Sequence, residues 1–236
     1  MYSDLFCQVY NAFGWNYYPE VFGQQLLQWL ERKNIRGVAT MDLACGTGIL
    51  CRMLQDNGMT ASGMDYSSGM IDIARGENPG IPFYVADMIT FCPEERYGLV
   101  TCTGDAVNHI RSLDDVKKIF TNVFTYLQPG GWFVFDLLDE KEVSTSEPFE
   151  MDWENDTRVW FQMTRPGLNQ VQLTVRLYDK ENMQFEENIR ETIHDPEKIV
   201  ELLQSCGFIQ IQRSHRLLPD SERPATTWFV TAQKPQ

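Results

Sequence analysis

The chain has 236 residues, 43% of them hydrophobic and 22% charged, a balance that suits one soluble α/β domain with an insertion. Its formal net charge is −13 with no basic cluster, which excludes nucleic acid and anionic membrane surfaces as expected partners, since both would be repelled. There is no apolar run of about eighteen residues, and Met1-Tyr2-Ser3-Asp4 lacks the basic, apolar character of a leader, so no membrane span and a cytoplasmic location are expected.

The first thirty-odd residues read as helical, with Val21, Phe22, Leu26, Leu27, Trp29 and Leu30 at near-helical spacing. Gly37–Leu43 reads as a strand, followed by a glycine turn and a helix over Ile49–Asn57. Thr60–Met64 is a second strand, with a helix from about Ser68 to Arg75, and Pro82–Ala86 and Tyr97–Thr103 are a third and a fourth. A helix over about Leu113–Leu127, capped by Ser112 or Asp114, is ended by Pro129-Gly130-Gly131 before a fifth strand, Trp132–Asp136. Alternating strands and helices predict a parallel sheet with helices on both faces. From about 144 to 193 the period changes to two. Val171, Leu173, Val175 and Leu177 share one face, and Gln172, Thr174, Arg176 and Tyr178 the other. Pro166-Gly167-Leu168-Asn169 reads as the turn joining Arg158–Thr164 to that strand. The expected organisation is one domain from residues 1–143 and 194–236 and an inserted antiparallel meander, 144–193, as a lid or a homodimer surface. Pro196 begins a helix through about Ser205, Gly207 ends it, and strands around Phe208–Ser214 and Thr226–Gln233 close the chain.

Asp42-Leu43-Ala44-Cys45-Gly46-Thr47-Gly48 stands where the first strand meets its helix. Glycines let backbone approach a ligand closely, and the helix start points free N–H groups and a positive dipole end at it. Asp65, at the end of the second strand, can accept hydrogen bonds from both hydroxyls of a ribose. These features imply a nucleoside cofactor. Three details favour S-adenosylmethionine (SAM) over NAD. Cys51 occupies the place of the third dinucleotide glycine, Asp42 would repel a diphosphate and welcome an ammonium group, and Ala86-Asp87-Met88 offers an acid for the adenine amino group and a methionine for its ring.

With these motifs the chain resembles the class I SAM-dependent methyltransferases. Asp42–Gly48 looks like their first motif, Gly63–Met70 their second, and Ala86-Asp87-Met88 their adenine segment. Leu127–Trp132 is similar to the turn before their fifth strand, and Cys206-Gly207-Phe208 with Phe229–Pro235 to their final helix and closing hairpin. Ala44 departs from a frequent glycine. The resemblance implies a Rossmann-like, doubly wound seven-stranded sheet with an antiparallel final strand, SAM as cofactor and S-adenosylhomocysteine as product. It implies cofactor contacts from Asp42, Ala44, Cys45, Gly46 and Gly48 to the methionine part. Asp65 and Tyr66 would meet the ribose, Met70, Asp87 and Met88 the adenine, and Thr103 and Gly104 the sulfonium, with Tyr17 and Tyr18 folded over the whole.

The expected activity is methyl transfer from SAM to an N or O atom of a small molecule. His109 is the candidate base and Asn108 could orient the acceptor. The meander offers Trp153, Arg158, Trp160, Tyr178 and Arg190 as substrate contacts, an arginine being suited to an anionic group. A SAM-binding regulator without turnover and an NAD-dependent oxidoreductase are the alternatives. The cysteines Cys7, Cys45, Cys51, Cys92, Cys102 and Cys206 form no CxxC pair and are expected as free thiols, and no metal is expected.

Overall fold

The computed structural model describes residues 2–15, 17–152, 157–218 and 227–236. Five apolar runs form β1 (Ala39–Leu43), β2 (Thr60–Asp65), β3 (Phe83–Val85), β4 (Tyr97–Cys102) and β5 (Leu127–Leu138). With β10 (Ile209–Ser214) and β11 (Thr227–Gln233) they make a seven-stranded sheet in the order β10-β11-β5-β4-β1-β2-β3. The first five are mutually parallel, and β11 runs antiparallel to both β5 and β10. The strand order reverses between β1 and β4, which opens a crevice beyond their C-terminal ends.

The helices are α1 (Asp4–Val9), α2 (Tyr17–Arg32), α3 (Ile49–Asp56), α4 (Ser68–Glu77), α5 (Leu113–Tyr126) and α6 (Pro196–Ser205), and α1, α4, α5 and α6 start where a side chain satisfies one of their free N–H groups. Ser67 accepts from the Met70 N–H, Ser112 from Asp114 and Asp195 from Glu197, with Pro196 in the first turn. One apolar cluster, built on Phe120, Phe133, Phe135 and Val123, lies between the main sheet and α5 and α6. A second, built on Phe22, Leu26, Leu50, Leu54 and Phe229, lies between the sheet and α2 and α3. None of the described helices is long and apolar enough to cross a membrane.

Pro129-Gly130-Gly131 does not separate helix from strand as expected. The helix stops at Tyr126 and β5 starts at Leu127, running through all three residues. The reason is pairing from the C-terminal segment. Gly130 donates to the carbonyls of Lys234 and Pro235, and the Lys234 ammonium caps the Phe124 and Leu127 carbonyls at 2.7 and 2.8 Å.

Residues 149–192 hold a second, antiparallel sheet: β6 (Phe149–Asp152), β7 (Thr157–Gly167), β8 (Gln170–Asp179) and β9 (Asn182–Thr192). Its register puts Val159, Val175, Leu177 and Phe185 on one face. That face packs on Phe6, Cys7, Val9 and Met70. The opposite face is a polar lattice in which Arg176 lies 4.3 Å over the Trp160 ring and pairs with Glu186 at 2.6 Å.

Gly48 sits at φ +82°, and a Cβ there would lie 2.7 Å from the Phe83 ring and 3.0 Å from Asn78 Nδ2. The position therefore needs glycine both for its left-handed backbone and for the closeness of helix to sheet. Gly48→Ala is expected to destabilise the fold by about 1–3 kcal/mol, read as a lower urea midpoint with an unchanged slope.

Candidate active site

The turn from β1 into α3 is built from left-handed backbone: φ is +55° at Ala44, +54° at Gly46 and +82° at Gly48. Ala44, the departure from the glycine of the family pattern, keeps its methyl at an expense of about 1–2 kcal/mol. The turn is held from outside. Cys45 donates to the Met64 carbonyl at 2.9 Å, and the Gly46 N–H to Asp65 Oδ2 at 3.0 Å. Asp65 Oδ1 takes the Ser67 N–H at 2.8 Å, so one carboxylate joins the glycine turn to the start of α4. Thr47 Oγ1 donates to Asn11 Oδ1 at 2.9 Å, which ties the N-terminal segment to the same turn.

The crevice is a cavity of about 730 Å³. Asp42, Ala44, Cys45 and Gly46 border it from β1 and its turn; Asp65, Tyr66 and Met70 from β2 and α4. Asp87 and Met88 border it beyond β3, Thr103 and Gly104 beyond β4, and Tyr18 from α2. Fourteen of the expected site residues, His109 and Arg190 included, thus meet around one space. Gly48 does not line it and acts through packing on Phe83. Tyr17 lies on the surface, 67% exposed, while Tyr18 turns inward and donates its hydroxyl to Asp136 Oδ2.

The cavity carries buried acids. Burial pushes Asp42 up to about 7, against the 2.6 Å hydrogen bond from Thr101. Burial also raises Asp65, while the Ser67 and Gly46 N–H groups oppose it. Beyond β4, Asp105 begins the short 3-10 helix Ala106–His109 at φ +52°, and its N–H donates to Asp136 Oδ1 at 3.0 Å. Burial lifts Asp105 to about 6; burial, with Asp105 alongside, lifts Asp136 to about 7. His109 Nε2 lies 3.8 Å from Glu191 Oε1, and burial lowers the imidazole below its ordinary value, which keeps it neutral. Glu191 rises to about 9 through burial, then through Asp105 and Asp136. The ligand atoms of Asp105, His109 and Glu191 all lie within 4.8 Å of one another, close enough to share one cation.

The second sheet corrects five expectations. Asn108 is fully buried; it donates to the Thr192 carbonyl at 2.8 Å and accepts the Leu138 N–H at 3.0 Å, so it stitches β9 to β5 and has no amide group turned to an acceptor. Arg158 pairs with Glu150 and Glu181 at 3.3 and 3.5 Å and lies over Tyr178 on the outer face. Trp160 lies beneath Arg176 on that same face. Arg190 borders the cavity, but its Nε donates to Gln172 on the outer face at 2.8 Å. The physical reason is parity. Positions 158, 160, 178 and 190 share the outward phase of the pleat, and the odd-numbered positions of β9 from Phe185 on point inward. Trp153 lies outside the described residues. Sequence reasoning missed Tyr2, Tyr10, Glu187 and Ile189 on the cavity wall and Glu191 behind it. Glu187, Ile189 and Glu191 pair with Val175, Leu173 and Val171, so the apolar phase already identified on β8 was the available signal.

Residues 40–131 match the family model of a methyltransferase domain. Over 229 residues the chain is 27% identical to YqeM of Bacillus subtilis (strain 168), whose methyltransferase assignment is itself provisional; the match covers 89% of this chain and 90% of that protein. It is 27% identical over 134 residues to the dTDP-3-amino-3,6-dideoxy-alpha-D-glucopyranose N,N-dimethyltransferase of Streptomyces fradiae, spanning 57% of this chain and about half, 52%, of that enzyme. The structure of SAM-bound CalS10, an amino pentose methyltransferase from Micromonospora echinaspora, shares the fold with a TM-score of 0.76 at 17% identity, over 99% of this chain and 98% of that one.

Asp65→Ala is expected to weaken S-adenosylhomocysteine binding by at least about tenfold, since it releases the glycine turn that borders the cavity; isothermal titration measures it. Asp42, Asp105 and Asp136 have folded values above the ordinary carboxylate value. Their contribution to stability is therefore full below about pH 4 and is lost as pH rises through about 6 to 7. The ligand-free protein is expected to melt at lower temperature at pH 8 than at pH 5, with a shallower fall in Asp42→Asn, seen by calorimetry.

Proposed function

We propose that this class I SAM-dependent methyltransferase methylates the nitrogen of a small-molecule amine. The observation that carries the reading is the acid cluster directly behind His109, which lines the cavity: Glu191 lies 3.8 Å from its ring, Asp105 stands beside both, and Asp136 holds the Asp105 N–H. An oxygen nucleophile develops its reactivity by moving toward an anion, which three neighbouring carboxyls oppose. An amine attacks neutral and becomes positive, and the same carboxyls stabilise that charge as it forms. The S. fradiae enzyme is named for an amino-sugar nitrogen and CalS10 for an amino pentose, which supports an amine acceptor here. The size of the cavity, about 730 Å³, suits a cofactor with a small partner.

The donor chemistry fits SAM. Asp42, a carboxyl raised by burial, suits the amino-acid ammonium. Ala44, Cys45 and Gly46 would border the methionine part, and Asp65 would add ribose hydroxyls to the two N–H groups it already accepts. Asp87 and Met88 would hold the adenine, with Met70 and Tyr66 beside it, and Thr103 and Gly104 would border the sulfonium. Bound SAM supplies an electrophilic methyl group on a positively charged sulfur. Tyr2, Tyr10 and Tyr18 wall the acceptor end with rings and exclude water. A ring nitrogen of His109, held neutral by burial, accepts the proton that the methylated nitrogen sheds.

Incubation with isotopically labelled SAM and matched primary amines and alcohols, read by mass spectrometry, is expected to give labelled amines and unlabelled alcohols. Products from the alcohols alone would refute the nitrogen reading. His109→Ala is expected to lower kcat about 10²-fold while SAM affinity stays within about twofold of the unaltered protein.

A further inference from the structure

Glu191 arrives from the last strand of the second sheet. Its pairing with Val171 places it on the inward face, where its side chain is only 13% exposed. Among the described residues its ion-pairing partner is His109, at 3.8 Å, and burial keeps that ring neutral. The neighbouring Arg190 is turned to Gln172 on the other face. A buried carboxyl without a cation is unfavourable unless something else brings the charge. The surroundings suit an organic cation. Tyr2 stands edge-on to His109 with ring centroids 6.5 Å apart, and Tyr2 and Tyr10 both line the cavity, so ring faces are at hand for an ammonium group. Of the three, His109 lines the cavity and Asp105, which follows the cavity-lining Gly104 at the end of β4, stands with Glu191 directly behind it.

We propose that Glu191, with Asp105 and His109, is the acceptor-recognition site of this enzyme and selects the amine as its ammonium ion. The inference rests on the nitrogen reading above. As the ammonium binds, Glu191 gives up its own carboxyl proton to solvent and becomes the paired carboxylate; one N–H bond of the ammonium then breaks, its electron pair stays on nitrogen as the attacking lone pair, and the proton passes to a carboxylate oxygen of Glu191. The groups that face Glu191 set its proton affinity: Asp105 and Asp136 from the ends of β4 and β5, and His109 from the 3-10 helix, with Tyr2 and Asp65 close by. Together with burial they push Glu191 up to about 9, near the value of about 10 of an alkyl ammonium group, so the proton can move between them with little energetic penalty.

The test uses the full chain saturated with S-adenosylhomocysteine and titrated with cyclohexylamine or with cyclohexanol, its uncharged counterpart. Calorimetry at pH 7.5 in two buffers of different ionisation heat counts protons. The unaltered protein is expected to bind the amine at least about tenfold more tightly than the alcohol, releasing close to one proton. Glu191→Gln is expected to abolish both the preference and the release and to leave S-adenosylhomocysteine affinity unchanged. Glu191→Asp is expected to restore the release with weaker binding. Equal binding of amine and alcohol, or undiminished proton release in Glu191→Gln, would overturn the proposal. So would Mn²⁺ binding lost in Glu191→Gln while amine binding persists, which would make the trio a metal site. Failure of the unaltered protein to bind S-adenosylhomocysteine would be a different result and would sink the methyltransferase reading itself.

Discussion

Asp65 accepts the Gly46 N–H with one carboxylate oxygen and the Ser67 N–H with the other, at 3.0 and 2.8 Å. Those bonds hold a turn whose backbone is left-handed at Ala44, Gly46 and Gly48, a conformation that would not persist without outside support. They also bind the start of α3 to the start of α4, so both helices present their N-termini to one crevice. Thr47 extends the network to Asn11, and Cys7 reaches Ser67 at 3.4 Å, so the N-terminal segment docks on the same node. The cavity and its aromatic roof both depend on this node.

The cavity and its surroundings are dominated by acids. Asp42, Asp105, Asp136 and Glu191 are all raised by burial, and none of them has a described lysine or arginine beside it. A protein that keeps four such carboxyls near one space retains an unfavourable arrangement that a positively charged ligand relieves. The net charge of −13 has the same sign, so the long-range field and the local site both favour cations.

The second sheet does two jobs with its two faces. Inward, Val159, Phe161, Val175 and Leu177 join Phe6 and Val9 in a cluster that fixes the N-terminal segment, and Glu191 extends the same face to His109. Outward, Arg158, Trp160, Arg176 and Arg190 are spent on one another and on glutamates and Gln172. The arginines that attract attention as anion clamps therefore belong to surface cohesion, and the less conspicuous acid on β9 stands beside His109.

Local signals made much of this legible. The turn Asp42–Gly48, the acid Asp65 at its strand end and the capping residues Ser67, Ser112 and Asp195 act within a few residues of where they stand, so the sequence by itself determined the alternating α/β frame and the side of the cavity formed by β1, β2 and their turns. The period of two over 171–178 likewise determined that a meander would form. Two things were decided only by tertiary structure. One is which phase of the pleat faces the cavity: that depends on the apolar N-terminal helix covering one side of the sheet, and it turned Arg158, Trp160 and Tyr178 away and committed the Arg190 Nε to Gln172. The other is the meeting of Asp105, Asp136, His109 and Glu191, which come from two strand ends, a 3-10 turn and a distant sheet. Proton affinities of that kind arise from burial and mutual repulsion in three dimensions, and no spacing along the chain encodes them.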